Sequence, residues 1–303
     1  PLFAQADLYV DFGDSPEGPR GVNLLRLLCG MRGFPLEDGA VRMAHRIVEE
    51  SRQTMTLIRG AIEAGNGSRL RELGLSNQMG VLSSPTLMSA AAQGLIRLGE
   101  YDKALEVSRH ALECFPKSIR AKQLKGLALR RLKRFQEAID VLSELKADGH
   151  QDPETLGILA AAWDGLYLES GKALHLRRAR ELYRTAFQAD PKDSYTGINA
   201  AAKSLFLGER DEAARLAAAV RPLVAHAADG EDFWPACTLG EVFLLQRQLD
   251  EAAAQYQRVI DRHPVAIGDL KSTEQQARRI CIALELSPGE TAAALAPFGL
   301  LSQ

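Results

Sequence analysis

Gly99-Glu-Tyr-Asp-Lys-Ala104 returns 34 residues later as Lys133-Arg-Phe-Gln-Glu-Ala138. The theme comes back as Leu176-Arg-Arg-Ala179, as Gly208-Glu-Arg-Asp-Glu-Ala213 and as Gln248-Leu-Asp-Glu-Ala252. The aligned alanines are 34, 41, 34 and 39 residues apart. The downstream half keeps register. Ala104 is followed by Ala111 and Pro116, Ala179 by Tyr183, Ala186 and Pro191, and Ala252 by Tyr256, Val259 and Pro264. Self-similarity at a period of this size marks stacked structural units.

The period and the theme together are the tetratricopeptide signature, in which each unit is two antiparallel helices. Small alanines let the paired helices approach, Tyr or Phe fills the gap to the next unit, and proline ends the second helix. One unit cannot bury its own apolar face, so stacking is obligatory. The expected fold is all-α: a tetratricopeptide-type helical solenoid of about five repeats, with a short N-terminal strand-helix segment.

A narrower resemblance lies in Tyr195-Thr-Gly-Ile-Asn-Ala-Ala201, just after Ala189-Asp-Pro191, and in Leu239-Gly-Glu-Val-Phe243. Over about residues 85–285 these resemble the TRAFs-binding region of the apoptosis-signal-regulating kinases and its bacterial relatives. The resemblance implies a helical regulatory or assembly module without catalysis. Leu8-Tyr-Val-Asp-Phe12 and Gly21-Val-Asn-Leu-Leu-Arg-Leu-Leu28 resemble the closing strand and helix of a TIR domain. That implies a signalling domain upstream, with its catalytic glutamate region outside this sequence.

The organisation follows. Residues 1–33 read as a strand-helix remnant of an upstream signalling domain, with a helix over Val22–Met31. Residues 34–84 hold a helix from about Glu37 to Ala64 and a linker, packing on the solenoid. Residues 85–285 hold the repeats and a capping helix, about Ser272 to Glu285. Residues 286–303, rich in Pro, Gly and Ala, read as a loosely ordered tail. The two long spacings place extra residues at 169–175 and 224–231, as longer loops or helix extensions.

Composition excludes several classes. The chain has 303 residues, 46% hydrophobic and 25% charged, with net charge −2. That is an ordinary globular balance with no global pull toward nucleic acid or membrane. No run approaches the roughly 18 apolar residues of a membrane span. Cys29, Cys114, Cys237 and Cys281 form no C-x-x-C pair, so neither a zinc site nor a disulfide framework is signalled, and a cytoplasmic setting is expected. The start at Pro1 lacks both a Met and a basic n-region; it reads as a piece of a longer chain, not as a signal peptide.

Searches for chemistry fail in a consistent way. Gly171-Lys172 is the nearest approach to a phosphate loop, but Leu166 stands for its first glycine and Ala173 for its hydroxyl residue. None of the six histidines has another three or four residues away, so no helical metal face forms. Cys237 falls in a repeat helix facing the groove, without a His or Asp partner by spacing, and reads as a core thiol. No catalytic residue, cofactor or metal is therefore expected.

The charge anomaly is residues 117–134, with Lys117, Arg120, Lys122, Lys125, Arg130, Arg131, Lys133 and Arg134 and no acid. It reads either as a solvated face balanced by Glu137, Asp140 and Glu144 or as a docking surface for an acidic partner. It lacks interleaved aromatics for base stacking, which disfavours nucleic acid. Candidate groove positions Ser89, Gln93, Arg120, Gln123, Leu127, Ile158, Ala162, Ile198 and Ala202 depart from the Lys/Asn/Arg clamp that holds chaperone C-termini. An apolar groove, or one partly filled by the N-terminal helix, is expected instead.

The partner-binding candidates are Arg120, Gln123, Arg130, Arg131 and Arg134, with Trp234 and Glu241 further along. The expected function is a protein–protein interaction module, the regulatory or scaffold part of a signalling protein. The alternatives are the C-terminal regulatory part of a TIR-type NAD-cleaving effector, and a nucleic-acid sensor using residues 117–134. The expected partner is a protein or peptide, acidic in character; a homo-oligomer is compatible with the array.

Overall fold

The computed structural model describes residue 29 and residues 38–82, 84–264 and 267–302. The strand-helix segment expected over residues 1–33 lies, apart from Cys29, outside the described residues. Among the described residues all regular structure is helical. The chain divides into two compact units, residues 1–128 and 129–303.

In the first unit, α1 (Asp38–Glu63) matches the helix expected from about Glu37 to Ala64 and buries Thr54, Ile58 and Ala61 near its C-terminal end. Asn66 caps the next helix, α2 (Gly67–Gly74): its Oδ1 accepts the Arg69 N–H at 2.9 Å. A single turn, α3 (Met79–Leu82), leads to α4 (Pro85–Arg97), which starts on a proline whose missing N–H is no loss in the first turn. α1, α2 and α3 all pack on α4. Gly94 lets α1 approach closely, because a Cβ there would sit 2.8 Å from Ile62 Cγ1. α4 pairs with α5 (Tyr101–Cys114), and α6 (Ile119–Arg131) carries the chain into the second unit.

The second unit runs through α7 (Phe135–Ala147), α8 (Pro153–Ser170), α9 (Ala173–Ala189), α10 (Ser194–Phe206), α11 (Arg210–Val224), α12 (Phe233–Leu245), α13 (Leu249–Arg262), α14 (Ile267–Ala283) and α15 (Pro288–Leu295). Short 3-10 segments follow α11 (Ala225–Ala227) and α15 (Ala296–Ser302). α8 pairs with α9, α10 with α11 and α12 with α13, and each pair packs on the next.

The repeat theme owes its length to the turn within each pair. Gly99, Lys133, Gly171, Gly208, Arg247 and Glu285 all have positive φ, between 56° and 82°. The residue after each of five of them donates its N–H to the carbonyl five positions back: Glu100 to Leu95, Arg134 to Leu129, Glu209 to Ser204, Gln248 to Phe243 and Leu286 to Cys281, at 2.9–3.1 Å. This left-handed closure satisfies the last carbonyls of one helix and reverses the chain into the next. At Lys133, Arg247 and Glu285 a side chain stands where glycine is the easy choice, a cost of about 1–2 kcal/mol each that the repeat packing sustains.

The five aligned alanines are at most 2% exposed. Their counterparts on the first helix of a pair are as tight: a Cβ on Gly240 would lie 2.4 Å from the Tyr256 ring, and one on Gly165 2.3 Å from Phe135. Tyr183 and Tyr256 are buried as the repeat pattern requires. The extra residues of the first long spacing extend α8 and α9, leaving only Gly171 and Lys172 between them. Those of the second form the 3-10 turn and a loop.

Where the sequence suggested a loosely ordered tail over 286–303, the structure has α15 and a 3-10 segment. Ser287 and Glu290 close a reciprocal capping box at the start of α15. Phe298 is 1% exposed, with its ring 4.9 Å from that of Tyr256. The anchor is one aromatic finding a tertiary partner, which composition does not reveal.

Candidate functional site

Four helices of the second unit, each the first of its pair, bring a charged residue to one cluster of side chains. These are Asp164 on α8, Lys203 on α10, Glu241 on α12 and Arg279 on α14, spaced 39, 38 and 38 residues apart. With the helix period matched to the repeat period, their charges alternate along the chain. Asp164, Lys203 and Glu241 line an open cavity of about 430 Å³, and Arg279 stands behind its wall, paired with Asp164.

Asp164 is the hub. Its Oδ2 lies 2.9 Å from Lys203 Nζ, and both its oxygens accept from the Arg279 guanidinium, at 3.2 and 3.3 Å. Lys203 is 2% exposed and stacks on Phe206 at 5.2 Å, while Arg279 covers the same ring at 4.5 Å. Burial pushes the Asp164 carboxyl upward, but Lys203 and Arg279 outweigh it and hold the group below its ordinary value. Burial also lowers the Lys203 ammonium, against the opposing pull of Asp164.

Glu241 has no such partner at ion-pair distance among the contacts of the described residues. Burial pushes its carboxyl up to about 7; Lys203, a hydrogen bond from Gln276 and Arg279 act in the opposite direction. Gln276 Oε1 accepts from Arg279 at 3.5 Å, so its amide N–H₂ is the end that faces Glu241. One wall therefore holds a carboxyl poised to exchange a proton near neutrality.

The mouth is aromatic and basic. Tyr195 and Trp234 line it and are 51% and 55% exposed. The Tyr195 hydroxyl lies 3.3 Å from that of buried Tyr183. Arg130 and Arg131, at the end of α6, and Lys133, in the turn to α7, line the same cavity. Against these cations stands Asp269 on α14. Cys237 also faces the cavity, but burial pushes its thiol up to about 12, and the Thr273 hydroxyl lies 3.6 Å from its sulfur. It is a protonated thiol and not a nucleophile at neutral pH.

Of the residues singled out from sequence, the fold brings Arg130, Arg131, Trp234 and Glu241 together. It does not bring in the others. Arg134 forms a bidentate pair with Glu137 at 2.6 and 2.7 Å on the first turn of α7. Arg120 lies in the first unit, where it donates to Gln123 Oε1 at 3.2 Å and lines a separate cleft of about 300 Å³ with Pro85, Thr86, Ser89, Ala90, Gln93 and Ser118. That cleft has no residue of α1 in its lining, in contrast to the groove-filling role considered for the N-terminal helix.

Sequence reasoning missed Asp164, Lys203 and Arg279. A signal existed: Lys203 follows Ala200-Ala-Ala202 on a helix that is otherwise small and apolar inward, and the period returns a charge at 241 and 279. Among the described residues no cluster of His, Cys, Asp or Glu could hold a metal ion, and no helix is long and apolar enough to cross a membrane.

Comparison with known proteins agrees with the fold. Residues 88–207 match the family model described as Tetratricopeptide Repeats-Sensor. A thermophilic tetratricopeptide repeat protein of Thermus thermophilus is 23% identical, with a TM-score of 0.52 over 67% of this chain and 100% of its own. A tetratricopeptide repeat protein of Parabacteroides merdae is 14% identical, with a TM-score of 0.52 over 85% of this chain and 91% of its own. The search of curated proteins gave no match. The helix pairs are thus of tetratricopeptide type.

Proposed function

We propose that this chain is a non-catalytic recognition module, the regulatory or scaffold part of a signalling assembly, and that it captures an acidic protein or peptide segment in the cavity of α8, α10, α12 and α14. The observation that carries the reading is the cavity's composition: cations at the mouth, exposed rings beside them and an ordered ion cluster at the base. Cations focus the approach of an anion, and rigid aromatics supply contact area at low entropic cost. A volume of about 430 Å³ suits one or two side chains or a small acidic molecule, the form a sensor would use. The TRAFs-binding resemblance supports a regulatory role, and four free cysteines support a cytoplasmic one.

The nucleic-acid reading of residues 117–134 is weaker. Arg134 is already engaged by Glu137, and Arg130 and Arg131 line a pocket and not a continuous basic stripe.

Fluorescence anisotropy with labelled acidic, neutral and basic peptides tests the proposal. Acidic peptides should bind, with affinity falling as salt rises and falling again in the Arg130→Gln, Arg131→Gln double variant. Equal binding of all three classes, or an unaffected double variant, would overturn it.

A further inference from the structure

The buried ion cluster has a charge count that constrains what can enter. Asp164 is one acid between two cations, Lys203 and Arg279, which leaves one positive charge over. An ionised Glu241 cancels it. An incoming carboxylate would then stand beside Glu241 as a second anion in a poorly solvated site, and two close carboxylates do not both ionise. If Glu241 instead carries a proton, the cluster keeps its excess positive charge, and the Glu241 hydroxyl becomes a donor facing the same space.

The groups around Glu241 leave it the acid that moves. From α8 Asp164, held ionised by its two ion pairs, lines the same cavity, and from α10 comes Lys203. On its own helix α12 stands Cys237, held protonated. From α13 comes Tyr256, whose phenol burial pushes well above its ordinary value. From α14 come Arg279, Gln276 and, at the cavity edge, Asp269. Gln276 bridges Arg279 to Glu241, so the cation's position is tied to the carboxyl that titrates.

We propose that the cavity binds a carboxylate attached to a group of side-chain size, such as an acidic peptide side chain or chain end, by pairing it with protonated Glu241 beside Lys203, so that above neutral pH each carboxylate bound brings close to one proton into the site. The inference rests on the reading of the cavity as a binding site and names its ligand chemistry. Tyr195 and Trp234 take the attached group, and Arg130, Arg131 and Lys133 guide the anion in.

The test uses the full chain with 3-phenylpropionate as the probe and its uncharged amide as the control. Isothermal titration in two buffers of different ionisation enthalpy gives the protons taken up. Wild type should take up close to one proton per carboxylate at pH 8, and its affinity should drop roughly tenfold from pH 6 to pH 8 as Glu241 ionises. Glu241→Gln carries a permanent neutral donor, so it should bind with affinity independent of pH and without proton uptake. The amide should bind more weakly than phenylpropionate at pH 6.

Binding by wild type without proton uptake, or a Glu241→Gln variant that keeps the same pH slope, overturns the proton-linked pairing and leaves the cavity a binding site. Equal binding of amide and acid overturns the carboxylate assignment. Absence of binding by wild type at pH 6 overturns both the inference and the reading on which it rests. The uptake measurement is made on wild type, so it stands even where the variant folds poorly.

Discussion

In residues 1–128 the inner helices α4 and α6 line a cleft with Ser89, Gln93, Ser118 and Arg120, a set with one charge. In residues 129–303 the inner helices carry Asp164, Lys203, Glu241 and Arg279, and three of these lock into one cluster. Both faces hang on the same closure of the helix pair and the same alanine contacts. The difference teaches that the scaffold and the site are separable in a repeat protein. Backbone and small residues fix where a side chain points, and a single inner position per repeat decides what the face can bind. Neutral side chains leave that face permissive. Buried charges make it selective, because each must find a partner or shift its proton equilibrium.

The largest effect should fall on what the two regions share. Ala104→Arg and Ala138→Arg each force a long charged side chain into a helix contact that is now closed. Each should destabilise by about 4–5 kcal/mol or more, through overpacking and an unpaired buried charge together. Urea denaturation checks it, and an unchanged midpoint for either would show that its region does not follow the common register.

The next effect should separate the regions. Asp164→Ala leaves Lys203 and Arg279 facing one another in a buried site, and should cost about 3–5 kcal/mol. Gln123→Ala in the first region removes a buried amide that accepts from Arg120, a loss of about 1 kcal/mol. Thermal melts of the two variants side by side measure the gap; equal losses would mean that the charged face is no more constrained than the neutral one.

A pH series sharpens the comparison further. Glu241 in the folded chain titrates at about 7, above its ordinary 4.5. A raised value means that its contribution to stability is full below 4.5 and is lost as pH rises through 7. The shift corresponds to roughly 3 kcal/mol at most. Glu241→Gln should therefore melt above wild type at pH 8 and draw level with it near pH 4.5. Parallel melting curves for the two across that window would refute the upward shift of the carboxyl.

The smallest effect concerns cations that sequence alone could not rank. Arg120→Gln and Arg134→Gln should leave acidic-peptide binding unchanged, since one side chain lies in the other region and the other is engaged by Glu137. Arg130→Gln with Arg131→Gln should lower the association rate several-fold at low salt and little at high salt. Stopped-flow mixing at two salt concentrations resolves the pair.

Much of the fold was legible because its cause is local and periodic. The alanines, the Tyr183 and Tyr256 positions and the helix-ending prolines at 116, 191 and 264 all return at the repeat spacing, and each has a steric reason to do so. The site was half legible. Arg130 and Arg131 showed in the basic run and Glu241 in a repeat helix, but Asp164, Lys203 and Arg279 were passed over because each is ordinary on its own helix. The turn residues Lys133, Arg247 and Glu285 hid the left-handed closure for a related reason: no glycine marks it there.

The sequence by itself determined that the chain forms paired helices, where each pair turns, and which small residues meet, because these depend on contacts between neighbours a repeat apart. Only the tertiary structure decided that Arg279 reaches Asp164 across 115 residues and that Phe298 closes on Tyr256. It also decided that Glu241 stands in the same cavity with its carboxyl shifted to about 7. Those outcomes depend on how far successive pairs rotate about one another. That rotation is the sum of many small packing preferences, and it brings distant charges into a shared space of low dielectric, where pairing and protonation become coupled.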